Sequence, residues 1–142
     1  MAGAVNRIRV VAGLIRQGGR ILACQRHESG PFPLKWEFPG GKVKPGEADM
    51  DALRRELYEE LAIEVDEATP FFAGQHRYPD GLEVSLNFFS VLSYRGVAQN
   101  LVFQRIEWVD LAKLQQMDFL AGDKPLIRCL TDLTALSSDR SE

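Results

Sequence analysis

Three glutamates, Glu56, Glu59 and Glu60, crowd one short stretch of the chain. On an α-helix successive residues turn by about 100°, so the three share one sector, and Met50, Leu53, Leu57 and Leu61 share the neighbouring one. Like charges at i,i+4, here Glu56 and Glu60, cost a helix roughly 0.2–0.5 kcal/mol per pair, and a helix shaped only for solubility would mix in lysines. None occurs between Lys44 and Lys113. Carboxylates packed in this way either raise their pKa values or hold a cation, and hard divalent ions such as Mg2+ take oxygen ligands of this kind. A solvated acidic face satisfies the helix pattern equally well.

The element carrying these residues is the clearest in the sequence. Ala48 to Ala62 contains no Gly or Pro, its leucines recur every three or four residues, and Pro45-Gly46-Glu47 precedes it. Upstream, Arg7–Arg16 and Arg20–Arg26 are rich in Val, Ile and Leu and flank Gln17-Gly18-Gly19, which predicts a β-hairpin. A loop of turn residues, Glu28 to Pro33, leads to Trp36-Glu37-Phe38, and Pro39-Gly40-Gly41 then allows the backbone to approach a ligand closely. Phe71–Tyr78, Glu83–Tyr94 and Gln104–Val109 are further predicted strands, and Pro125–Leu136 a second helix with Leu126, Leu130 and Leu133 in phase. Hairpin connections between strands flanked by two helices predict an α+β fold, an α/β/α sandwich with a mixed β-sheet between two main helices. Residues 1–136 form one domain in this reading, and 137–142, a polar run, a disordered tail.

Bulk composition narrows the function classes. The 142 residues carry 17 Lys and Arg against 20 Asp and Glu, a formal net charge of −3, which disfavours a binder of long nucleic acids. The longest apolar run, Val10 to Ile15, is far short of the roughly 20 residues a membrane-spanning helix needs. Met1–Asn6 lacks the basic start and apolar stretch of a secretory leader. Cys24 and Cys129 are expected to be free thiols, in keeping with a cytoplasmic protein.

From Gly41 the chain reads Gly41, five residues, Glu47, seven residues, then Arg55-Glu56-Leu57-Tyr58-Glu59-Glu60-Leu61-Ala62-Ile63. This resembles the Nudix box at every defined position except one. Ala62 stands where the family has Gly, at the helix C-terminus where Gly eases a left-handed cap. Trp36-Glu37-Phe38-Pro39-Gly40-Gly41 ahead of the box, and the strand order around it, resemble the MutT-like branch.

The resemblance implies an enzyme that hydrolyses a nucleoside diphosphate linked to another group with Mg2+ or Mn2+. It makes Glu56, Glu59 and Glu60 metal ligands, with the backbone carbonyl of Gly41, and makes Glu47 and Arg55 supports, Arg55 orienting a glutamate by a charge-assisted hydrogen bond. Arg26 is expected at phosphate or sugar, Asp123 at the base edge and Tyr78 against the base. Asp123 also fits a helix N-cap, Arg26 a surface strand end, Tyr78 a ring packed beside Pro79, and His76 an ordinary strand residue. The loop glutamate that serves as general base in several MutT-like members has its nearest match at Val102, so a box glutamate or the metal itself is left to activate water. Glu107 is close by but reads as an exposed strand residue. The implied activity is cleavage of nucleoside triphosphates, including oxidised or modified ones, to monophosphate and pyrophosphate. Rival readings are a hydrolase of ADP-ribose or a nucleotide sugar, for which Pro79 is a faint pointer, and a nucleotide-binding regulator that has lost hydrolysis. The implied partner is a small nucleotide, bound by a monomer or homodimer.

Overall fold

The computed structural model describes residues 7–140. The predicted hairpin opens it: strand β1 (Arg7–Gln17) turns through Gly18 and Gly19, at φ 56° and 79°, into β2 (Arg20–Gln25). Positive φ at both loop residues is the geometry whose twist matches the flanking strands, and glycine adopts it without strain. Two short strands, β3 (Trp36–Glu37) and β4 (Gly40–Lys42), lead into helix α1 (Asp49–Leu61). The long strands β5 (Glu64–Arg77) and β6 (Glu83–Arg95) follow, then β7 (Arg105–Val109), the short helix α2 (Leu111–Leu114), a 3-10 turn (Ala121–Asp123) and helix α3 (Lys124–Arg140).

β1 organises the sheet by changing neighbours along its length. Arg7 to Ile15 pair in parallel with Glu83 to Val91 of β6, while on the other edge Val10–Ala12 pair antiparallel with β4, and Arg16 and Gln17 with β2. β2 continues outward to β3 and β7, and β6 to β5, so the sheet is mixed, as predicted. Both faces are buried, and side chains alternate between two cores. Val11, Ile15, Leu22 and Cys24 face α1, against Leu53, Leu57 and Leu61; Ala12, Leu14, Ile21 and Ala23 face α3, against Leu126, Ile127 and Leu130. The sandwich of a mixed sheet between two main helices is therefore observed.

Three boundaries differ from expectation. β5 begins at Glu64 rather than Phe71, with irregularities around Glu67 and Pro70. It pairs only with β6, and a proline is tolerated on such an edge. Asp110 caps the unpredicted α2 by accepting from the Lys113 N–H at 2.9 Å. The expected tail is helical through Arg140, since no Gly or Pro after Pro125 interrupts the helix; Ser141 and Glu142 lie outside the described residues.

Candidate active site

The loop and helix of the glutamate motif fold around Arg55. Its Nε and Nη2 donate to the two carboxylate oxygens of Glu47 at 2.8 and 2.9 Å, a bidentate pair that fixes the loop against the helix. The same guanidinium donates to Glu56 Oε1 at 2.7 Å and to the Lys42 carbonyl at 3.1 Å, and lies 3.5 Å from Glu59 Oε2. Held by Arg55 and by the Lys44 N–H, the Glu47 carboxyl drops to a pKa of about 2, and the arginine in turn is held charged by Glu47 and Glu56. The spacing of seven residues between Glu47 and Arg55 is thus the span that closes this clamp.

Gly41 runs directly beside Glu56: a Cβ there would lie 2.4 Å from the Glu56 carboxyl carbon, so only glycine brings the backbone this close to the acidic group. Glu60 accepts the Gly40 N–H at 3.0 Å and is largely buried, with no basic partner among the described residues. Burial, reinforced by Glu56, pushes its carboxyl up to about 8. Glu59, with its side chain about half exposed (54%), faces solvent at the edge of the group. Among the described residues no three His, Cys, Asp or Glu side chains stand close enough to hold an ion as they are. The donors are nonetheless of the type a hard divalent cation takes, and Glu60, beside Glu56 and without a basic partner among the described residues, is the carboxyl whose charged form a bound ion would favour.

A cleft of about 720 Å3 runs from Glu60, Gly40 and Gly41 past Arg26 and Glu37 to Tyr78 and Asp123. It brings together the candidates from distant parts of the chain. Arg26 lies just past β2, and its Nη1 donates to Glu37 Oε1 while its Nε donates to the Pro31 carbonyl, both at 2.9 Å. Asp123 ends the 3-10 turn before α3, only 6% exposed. Its carboxylate accepts from the Phe38 N–H, and Oδ2 has no hydrogen-bond partner. Burial, with Glu37 adding to it, raises Asp123 to about 8, so near neutrality this group can donate as well as accept. Tyr78 lies just past β5, its hydroxyl pKa raised by burial and then by Asp123; His76 meets the Tyr78 ring edge-on at 4.6 Å.

Glu37 was absent from the sequence-based candidates. Its carboxyl is raised by burial against the opposing pull of Arg26, and it is close enough to Glu60 and Asp123 to raise both. The available signal was a lone acidic residue in an otherwise apolar Trp36-Glu37-Phe38 segment. Glu107 sits opposite Ala23 in β7, half-buried rather than exposed, and is engaged by Lys113 at 3.2 Å and Arg105 at 3.7 Å, which accounts for it as a strand residue held in ion pairs. Leu101 donates its N–H to the Glu60 carbonyl at 3.1 Å, so the loop before β7 lies against the end of α1 and places half-exposed Val102 there without a carboxylate.

Residues 5–130 match the family model described as NUDIX domain. The chain is 34% identical over 131 residues to the CTP pyrophosphohydrolase of Escherichia coli strain K12, covering 92% of this chain and 96% of that one. It is 36% identical over 128 residues to the 8-oxo-dGTP diphosphatase of Haemophilus influenzae, covering 89% and 93%. The fold is similar to the solution structure of the E. coli ORF135 protein, with a TM-score of 0.82 at 31% identity, over 97% of this chain and 96% of that one.

Proposed function

The chain belongs to the Nudix family, and from that membership we propose that it is a MutT-like pyrophosphohydrolase converting nucleoside triphosphates, oxidised or modified ones included, to monophosphate and pyrophosphate. One observation carries the assignment of its site. The cleft that begins at the acidic group of α1 ends at a buried carboxylate with an unpartnered oxygen, Asp123 Oδ2, so a single ligand can meet both. A triphosphate has the matching pair of features, a polyanion at one end and a hydrogen-bonding base at the other.

In this reading Glu56, Glu59 and Glu60, with the Gly41 backbone, hold Mg2+ or Mn2+. Such an ion neutralises phosphate charge and lowers the pKa of water. The chain's own groups do the rest. Glu47 and Arg55 hold Glu56 in place through the hydrogen bonds at 2.7–2.9 Å. Arg26, kept taut by Glu37 and the Pro31 carbonyl, meets phosphate or sugar midway along the cleft. Asp123 reads the base edge and Tyr78 backs the base. With no carboxylate at Val102 and Glu107 engaged by Lys113 and Arg105, a box glutamate is left to take the proton of the attacking water, unless a bound ion would itself supply that activation. Two free cysteines fit a reducing compartment, in keeping with a setting among free cytoplasmic nucleotides.

The test is incubation with Mg2+ and a panel comprising the ordinary triphosphates, 8-oxo-dGTP, 5-methyl-dCTP and ADP-ribose, with products separated by chromatography. Monophosphate and pyrophosphate from at least one triphosphate is the expected outcome. Turnover of ADP-ribose alone, or of nothing, refutes the reading.

A further inference from the structure

The loop between β2 and β3 contains two residues in the left-handed region, Phe32 at φ 50° and Leu34 at φ 62°. Neither is glycine, and such a conformation costs an L-residue roughly 1–2 kcal/mol, so it persists only where surrounding contacts over-determine it. At Phe32 those contacts are visible. Arg26 Nε donates to the carbonyl of the preceding Pro31, the Arg26 guanidinium lies 5.9 Å from the Phe32 ring centroid, and the Tyr78 ring packs against the Phe32 ring in a tilted contact at 5.6 Å. Leu34 and Lys35 are tied back as well, the Leu34 N–H to the Arg26 carbonyl at 3.2 Å and the Lys35 N–H to the Phe32 carbonyl at 3.3 Å.

All this machinery holds in place a large aromatic ring that remains 46% exposed. Core packing does not explain it, because Phe32 belongs to neither core cluster. The ring lines the same cleft as Asp123, whose carboxylate is more than nine-tenths buried and keeps one oxygen, Oδ2, unpartnered. An aromatic face beside an unsatisfied polar group is what a planar heterocycle needs, one surface to stack on and one edge to hydrogen-bond.

We propose that Phe32 is a specificity-determining residue, the aromatic wall against which the nucleobase of the substrate stacks while Asp123 reads its edge. The assignment rests on the triphosphate reading of the cleft. It separates base recognition from the phosphate end, since Phe32 lies on the β2–β3 loop and the acidic group on α1.

Steady-state kinetics of the whole protein with Mg2+ test it, using the best triphosphate of the panel and inorganic tripolyphosphate as a competing ligand that has phosphates but no base. Phe32→Ala is expected to raise KM about tenfold or more, the scale of one lost base–aromatic stack, with kcat within about threefold and the tripolyphosphate inhibition constant within about twofold. Phe32→Trp should keep KM within about threefold. Phe32→Gly relieves the backbone while removing the ring, so it should match the alanine variant in KM. An alanine variant with unchanged KM, a parallel rise in KM and in the tripolyphosphate constant, or a glycine variant with normal KM overturns the inference while leaving the triphosphate reading intact. Failure of the wild-type protein to turn over any triphosphate overturns both.

Discussion

Ala62→Gly relieves a strain that the chain carries at the end of its most important helix. Ala62 has φ 58° and ψ 32°, and its N–H bonds to the Tyr58 carbonyl at 3.0 Å, so the residue is locked in the left-handed cap. Neighbouring bonds hold it there: the Gln99 N–H reaches the Leu61 carbonyl at 2.9 Å and the Leu101 N–H reaches the Glu60 carbonyl. An L-residue in this conformation gives up roughly 1–2 kcal/mol, whereas glycine gives up almost none. Against this, glycine gains conformational freedom in the unfolded chain worth about 0.4–1 kcal/mol. The balance favours the variant by about 0.5–1 kcal/mol, which in a domain of this size raises the melting midpoint by roughly 2–4 °C. Calorimetry or circular dichroism melts at equal protein concentration, backed by urea titration, measure it. A glycine variant of equal or lower stability refutes the strain argument. Because the backbone bonds that set Glu60 are unaltered, kcat should stay within about twofold.

Glu60→Gln and Glu59→Gln should each remove most turnover without loss of the fold, and a fully active variant would sink the ligand assignment. Glu60 has a folded-state pKa of about 8 against 4.5 in the unfolded chain, so its contribution to stability is fully present below about pH 4.5 and is lost as pH rises through about 8. Without divalent ions the wild type should therefore melt progressively lower relative to Glu60→Gln as pH rises from about 4.5 to about 8, with a constant gap above that, and Mg2+ at pH 8 should raise the melting midpoint of the wild type but not of the variant. Asp123→Ala, by removing a buried hydrogen-bonding edge, should raise KM for triphosphates by about tenfold at unchanged kcat, and an unaltered KM would exclude Asp123 from the base edge. Arg55→Lys breaks the bidentate fork onto Glu47 and loosens Glu56, so kcat should fall at least tenfold with Mg2+ saturating; full activity would show that the clamp is dispensable.

What the sequence made legible followed from regular repetition. The α1 leucines and glutamates obey a helical period, and the alternation in β1 and β2 maps onto the two cores, so the acidic face and the sandwich could both be anticipated. The rest depends on contacts between segments far apart in the chain. Glu37 gains its altered titration only when β3 folds beside Arg26 and Asp123, and the orphaned oxygen of Asp123 exists only because Phe38 claims its neighbour. The first half of β5 escaped because Glu64, Asp66, Glu67 and Pro70 carry no strand pattern; pairing with β6 imposes it. Phe32 escaped because its left-handed backbone lies in a proline-rich loop that has no period at all.

The change of partners along β1 has an evolutionary consequence. The strand is a shared rail: it pairs with β4 through Val10–Ala12 and with β2 through Arg16 and Gln17, while its side chains alternate between the core under α1 and the core under α3. The acidic face of α1 and the turn of Asp123 before α3, to which cleavage and base reading are here assigned, thus hang on one support from its opposite faces. Drift in the second core can retune which nucleotide is accepted without disturbing the bond-breaking end, so substrate range can diverge while the reaction is inherited unchanged.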